Sequence, residues 1–404
     1  MKKIGNLVLG IVTSIGGFVE VGSISTAAQA GSEFEFGLLW ALATASLMLA
    51  MLVEMSGRLA AVSRRTLAAA VRERFGLHFQ LVPLLAELMT DVLLLAAEIG
   101  GVGISIELLT GIGFQWWILP VAAVAWLVLW LGNFTAIEDG LGLLGLVTIS
   151  FVVAAWRLHP DAASLRHGLI PRWPAHDLVR YGFLAVSILG ATVSPYLLNF
   201  YASGAVEEQW SEGDLWANRL TAFAGMGFGT IVSMGVLVTA AITLAPHHIR
   251  VDSYEQAALM FVPVYGPWAV TLFALSLGVG CLGAAIEIAL NGGYLLAQAF
   301  GWNWGVEKKR ADAARFSAAF TSVLLLGAAV ALLGFDPLRL TLVSLAMTVM
   351  IMPLVVLPFL VLMNDERLVK QHTSGPVGNL LLAVLVVIGA LFAVIVVPLE
   401  VFGG

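Results

Sequence analysis

Apolar residues occur along this chain in long runs, each closed by a short polar or charged stretch. Runs of about 18 to 25 apolar residues match the length of a helix that crosses a bilayer. They predict helices over 4–28, 37–62, 81–108, 114–132, 140–157, 181–204, 220–245, 265–299, 316–334, 339–362 and 378–401. The pattern is that of an all-α integral membrane protein with eleven transmembrane helices. The longest run, 265–299, must tilt or extend beyond the hydrocarbon. The longest connection, 158–180, leaves no room for a second domain, so 1–404 reads as one transmembrane unit.

Two runs carry their own breaks. In the sixth, Ser194-Pro-Tyr196 places a proline mid-span, where it lacks an N–H and clashes with the preceding turn. In the first, Gly16, Gly17 and Gly22 surround a carboxylate, Glu20. Backbone freed at membrane depth persists only where protein or a water-filled cavity satisfies it. Interrupted spans at matching places in two halves point to the central site of a transporter.

Composition narrows the class further. The chain is 60% hydrophobic and 11% charged, which excludes a soluble globular protein. Its one cysteine, Cys281, rules out a disulfide framework or a cysteine metal cluster. The stretch after Met1 continues too far, and carries Glu20, to be a cleaved signal, so it reads as a retained span. With the N-terminus inside, fourteen lysines and arginines fall in inner loops and six in outer ones. That bias predicts a cytoplasmic N-terminus and, with eleven spans, a C-terminus outside. The basic segment 57–79 reads as a solvated inner loop, with anionic lipid as an alternative contact.

Glu20 is the central candidate. No lysine or arginine lies near it in the interior of a span, and an unpaired ionised group at that depth requires water or a cation. Ser23 and Ser194 can contact an ion or simply bond to helix carbonyls. Tyr196 can cap the break or touch a hydrated ion. Glu87, Asp91 and Glu98 lie on one face of the third span, and Glu287 and Asn291 form a four-apart pair in the eighth. Either set can line a cation path or serve structural hydrogen bonding. Glu138 and Asp139 read as interfacial charges. All seven histidines fall in the predicted loops.

From Met1 to about Lys370 the order of motifs resembles the NRAMP family of divalent-metal transporters. Gln29-Ala-Gly31 with Gly37-Leu-Leu-Trp40 resembles that family's first-to-second-helix junction. Val71-Arg-Glu-Arg-Phe75 resembles its basic loop, and Leu84-Leu-Ala-Glu-Leu88 the start of its third helix. Leu189-Gly-Ala-Thr-Val-Ser-Pro195 resembles the break of its sixth, and Asn364-Asp-Glu-Arg-Leu368 the end of its tenth. The resemblance implies a LeuT-like fold of inverted five-helix repeats, about 4–157 and 181–362, with helices 1 and 6 broken and 378–401 added. It also implies a multi-pass protein of a bacterial cell membrane.

Departures from the family pattern have one chemical direction. Where members carry Asp-Pro-Gly-Asn, this chain has Glu20-Val-Gly-Ser23, and where they carry Met-Pro-His it has Ser194-Pro-Tyr196. A later family histidine falls on Tyr201, acids of the third helix fall on Leu94 and Ala97, and a glutamine of the tenth falls on Leu345. Losing the thioether removes the soft ligand, and oxygen donors suit hard ions. Magnesium keeps several waters and takes one or two carboxylates. The expected ion site is therefore Glu20, Ser23, Ser194, Tyr196 and the carbonyl of Ala191. Its substrate is Mg2+ or, nearly as oxygen-loving, Mn2+. The sequence thus resembles the family's magnesium-transporting branch. With no histidine in a span, uptake is expected to run uncoupled from protons. The rivals are a proton-coupled Mn2+ or Fe2+ importer and an organic-solute transporter. No enzyme constellation, cofactor, nucleic-acid contact or obligate protein partner is indicated. The partners are the ion and the bilayer.

Overall fold

The computed structural model describes residues 20–132, 140, 143–174 and 176–402. The first part of the first expected span, and Glu138-Asp139, lie outside them. Every regular element among the described residues is helical. The main helices are α1 (Val21–Phe34), α2 (Leu39–Ser63), α3 (Leu67–Phe75), α4 (Leu77–Thr110), α5 (Ile118–Leu131), α6 (Ile149–Arg157) and α7 (Ala162–Gly168). They continue as α8 (Leu178–Thr192), α9 (Pro195–Glu207), α10 (Leu215–Thr243), α11 (Ala269–Phe300), α12 (Ala314–Leu332), α13 (Pro337–Leu362) and α14 (Pro376–Phe402).

Nine helical segments among the described residues are long and apolar enough to cross a membrane, with α8 and α9 together forming one. The fifth expected span appears as Leu143–Arg157, which bends by 119° into α7. Polar residues set the ends. Thr66 accepts the Ala69 N–H to start α3, Asp177 accepts the Arg180 N–H to start α8, and Asp336 accepts the Arg339 N–H to start α13. Gly111 ends α4 at φ 73°, a left-handed turn that glycine adopts without strain.

Several boundaries move. The third span is 34 residues long, so His78 sits in the first turn of α4 rather than in a loop. His167 likewise falls in α7, outside any span. In the eighth, residues 254–268 fold as short α- and 3-10-helical segments containing Pro263 and Pro267, and the long helix begins at Ala269. The basic segment is helical rather than a loop, although Arg64, Arg65 and Arg74 remain exposed to solvent. It ends α2 and forms α3, and its arginines bind protein groups: Arg58 pairs with Glu54 and donates to the His372 carbonyl, Arg64 to the Gln209 carbonyl, and Arg74 pairs with Asp365.

These contacts define a basic face that gathers 57–76, 207–214, 301–313 and 363–375. Lys370 bonds Glu212 there at 2.6 Å, which holds the Glu212 carboxyl below its ordinary range. On the opposite face Arg180 donates to Glu33, to Glu400 and to Gln29, tying the ends of α1, α8 and α14. The alternation of connections between two faces is that of a chain threading back and forth across a bilayer.

Close backbone approaches pack the centre. A Cβ on Gly31 would overlap the Leu237 carbonyl of α10, and one on Gly190 would overlap the Leu345 carbonyl of α13. Gly31→Ala should cost about 1–3 kcal/mol through overpacking, read as a lower melting temperature in detergent. Gly227→Ala, which meets nothing within 4 Å, should leave melting unchanged or slightly raised. Equal melting of Gly31→Ala and wild type would contradict this contact.

Candidate functional site

Helix α1 begins inside the protein rather than at its surface. Glu20 precedes it in extended conformation (φ −106°, ψ 177°) and is only 1% exposed. A helix start leaves backbone N–H groups without intrahelical acceptors. Here the Glu20 N–H donates to Ser23 Oγ at 3.0 Å, and the Val21 N–H donates to Glu98 Oε2 at 3.3 Å. Ser23 Oγ in turn donates to the Glu20 carbonyl at 3.0 Å.

The second interruption lies between α8 and α9. Leaving the helix at Val193, the chain is extended at Ser194 (φ −89°, ψ 130°) and resumes at Pro195, a first-turn position that proline favours. Pro195 has no N–H to offer the carbonyl four residues back, so Ala191 loses its regular partner. Ser194 Oγ donates to the Gly190 carbonyl at 3.0 Å.

The start of α1 and the break between α8 and α9 meet through one bond. Tyr196, 1% exposed, donates its hydroxyl to Glu20 Oε2 at 3.0 Å. Oε1 of Glu20 is buried and has no hydrogen-bond partner among the described residues. Leu345 of α13 packs against both segments. Its side chain lies against Gly22 of α1 and its carbonyl against Gly190 of α8. The structure thus brings Glu20, Ser23 and Tyr196 into one bonded group. Ala191 and Ser194 lie at the end of α8 and the start of α9, and both serine hydroxyls are turned onto backbone carbonyls.

The acids of α4 are buried against polar neighbours. Asn199 Nδ2 donates to both oxygens of Glu87, at 2.8 and 3.1 Å, and Asn291 Nδ2 to Asp91 at 3.0 Å. Glu98 sits beside the start of α1 and the Cys281 thiol. No salt bridge among the described residues reaches Glu20, Glu87, Asp91 or Glu98. Sequence reasoning missed Asn199. Its signal was positional: it follows Tyr196 by three residues, on the same helix face.

Comparison with known proteins is decisive at this point. The profile of the family described as "Natural resistance-associated macrophage protein-like", Nramp, matches residues 10–398. The chain belongs to the Nramp family. This Nramp protein is 27% identical over 390 residues to "Divalent metal cation transporter MntH" of Yersinia enterocolitica, spanning 92% of this chain and 90% of that one. It is 26% identical to the protein of the same name from Deinococcus radiodurans, over 66% of this chain and 63% of that one. A crystal structure of the Eremococcus coleocola manganese transporter superposes with TM-score 0.80 at 17% identity, covering 96% of this chain and 85% of that one. MhsT in complex with L-phenylalanine superposes with TM-score 0.61 at 16% identity, covering 96% and 97%. Those two likenesses concern the fold, which is LeuT-like.

In this Nramp protein the Tyr196–Glu20 bond is the direct link between the two interruptions. Tyr196→Phe leaves the carboxylate short of a donor, at a cost of about 1–3 kcal/mol. Metal-free protein should melt several degrees lower, measured by intrinsic fluorescence in detergent. An unchanged melting temperature would mean the bond is not formed.

Proposed function

We propose that this Nramp protein carries a hard, partly hydrated divalent cation, Mg2+ with Mn2+ as competitor, between its two interrupted helices. The observation that carries the reading is Glu20, a carboxylate buried at a helix start that, among the described residues, has one oxygen unpartnered and no salt bridge. Glu20, Ser23, the Ala191 carbonyl, Ser194 and Tyr196 are the proposed ion surroundings. Among the described residues no three His, Cys, Asp or Glu side chains converge as a metal cage. One carboxylate supplemented by carbonyl, hydroxyl and water oxygens is the coordination magnesium favours. Serine at 194, rather than a thioether, disfavours softer ions.

The curated relatives carry the name of divalent metal cation transporters, which fits the cargo class. An amino-acid-like cargo, suggested by the fold shared with MhsT, fits poorly, because Glu20 and Glu98 would repel a carboxylate at the start of α1. The domain reading is two repeats, about 4–157 and 181–362, followed by α14. The basic face lies in the cytoplasm of a bacterial cell, with the N-terminus inside and the C-terminus outside. A divalent ion entering such a cell gains about 4.6 kcal/mol per 100 mV, twice the single-charge value, which drives uptake without protons.

Flux into proteoliposomes tests each part. Mg2+ should enter, Mn2+ should compete, and Ca2+ should compete weakly because it prefers more ligands. Glu20→Ala should remove nearly all flux with expression intact, and Glu20→Gln nearly as much. A pH dye inside the vesicles should show no metal-dependent acidification, whereas acidification would favour a proton-coupled Mn2+ or Fe2+ importer. Ser194→Met should raise the Cd2+ to Mg2+ flux ratio, and an unchanged ratio would place Ser194 away from the ion. Cd2+ flux in wild type with no response to millimolar Mg2+ would reject the hard-ion reading.

A further inference from the structure

Beyond the break, three helices turn polar stripes toward one another. On α9 these are Tyr196, Asn199, Ser203 and Glu207; on α11, Asn291 and Gln298; on α4, Glu87 and Asp91. Steps of three, four and seven residues keep each set on one face. The stripes join rung by rung. After Tyr196 and Glu20 come Asn199 with Glu87, then Gln298 donating to Ser203 Oγ at 2.8 Å. Tyr294 and the Val306 N–H then bond Glu207 at 2.8 and 2.9 Å, at the basic face. The seam leads from the proposed ion position to the face read as cytoplasmic.

One rung is incomplete. Glu87 and Asp91 are 2% and 3% exposed and share a single amide, whose Nδ2 lies 3.4 Å from Glu87 Oε1 and 3.0 Å from Asp91 Oδ2. Asn199 contacts both Glu87 oxygens, the pattern of a group accepting as a carboxylate. Amide donors do not neutralise two buried negative charges, and no salt bridge among the described residues reaches either. The Asn291 side chain that stands between them is fully buried, yet its Oδ1 has no hydrogen-bond partner among the described residues. Turning that amide over would bring the unpartnered oxygen to the spot between the carboxylates. Two carboxylates, amide oxygens and a few waters are what a hard divalent ion takes as ligands.

We propose that Glu87, Asp91, Asn199 and Asn291 form a second cation station, which receives the ion from Glu20 on its way to the basic face. The station rests on the transport reading given above. Along α9 it stands three residues past Tyr196, an axial step of about 4.5 Å at helical rise. An ion leaving Glu20 meets these carboxylates at the next rung of the seam, where no salt bridge among the described residues reaches them.

Equilibrium Mn2+ binding to purified protein, followed by the loss of the free-ion electron paramagnetic resonance signal, tests this. Wild type should bind two ions per chain at saturation. Glu20→Gln and Asp91→Asn should each leave one, and the double variant none. Asn291→Ala, which keeps both carboxylates, should weaken one of the two sites at least tenfold. One ion per wild-type chain, lost in Glu20→Gln and unaffected by Asp91→Asn, would overturn the station and leave the transport reading standing. An Mn2+ count unchanged by Glu20→Gln but lowered by Asp91→Asn would instead sink the central site. Should Asp91→Asn not fold, the wild-type count and Asn291→Ala still decide the matter.

Discussion

A helix that starts or stops inside a membrane protein leaves N–H and carbonyl groups that lipid cannot satisfy, and the surrounding structure must supply the partners. Two such ends meet here. The start of α1 takes Ser23 Oγ and Glu98 as acceptors, and Ser194 Oγ returns to a carbonyl of α8. The Tyr196–Glu20 bond then joins one interruption to the other. Small residues make this meeting sterically possible, because Gly22 and Gly190 let α13 bring Leu345 between the breaks. A side chain at Gly190 would meet the α13 backbone, whereas one at Gly22 would meet the end of the Leu345 side chain.

The same centre concentrates acid. Glu20, Glu87, Asp91 and Glu98 are all buried, while the salt bridges among the described residues lie at the two faces, around Arg58, Arg74 and Lys370 on one and Arg180 on the other. A fold that places carboxylates inside and guanidinium groups outside leaves compensation of the interior charge to amides, hydroxyls and mobile cations. Hydrogen bonds from Tyr196, Asn199 and Asn291 supply part of that compensation. The remainder is what the proposed cation would supply.

Much of this was legible in the sequence because the bilayer imposes a simple code. Length and apolarity located most of the spans, and Pro195 marked the second break, since proline acts on backbone hydrogen bonding directly. Glu20 stood out because a carboxylate in an apolar run has few alternatives. What was not legible depended on contacts between distant helices. Nothing local in the sequence says that Asn199 faces Glu87, 112 residues earlier. Nor does it say that arginines of 57–76 reach protein carbonyls and carboxylates of distant segments. For Ser23 and Ser194 the sequence left open ion contact or a bond to a helix carbonyl, and the hydroxyls turn onto the Glu20 and Gly190 carbonyls.

The central claim is that a hard divalent ion sits between the interrupted helices with Glu20 as its charged ligand. The most direct test is an anomalous difference map from crystals of the protein grown with Mn2+. A peak about 2.2 Å from Glu20 Oε1 is expected at hard-cation ligand distances. That peak should be displaced by excess Mg2+. A map with well-ordered Glu20 and Tyr196, their bond intact and no peak between α1 and α8 at saturating Mn2+, would contradict it.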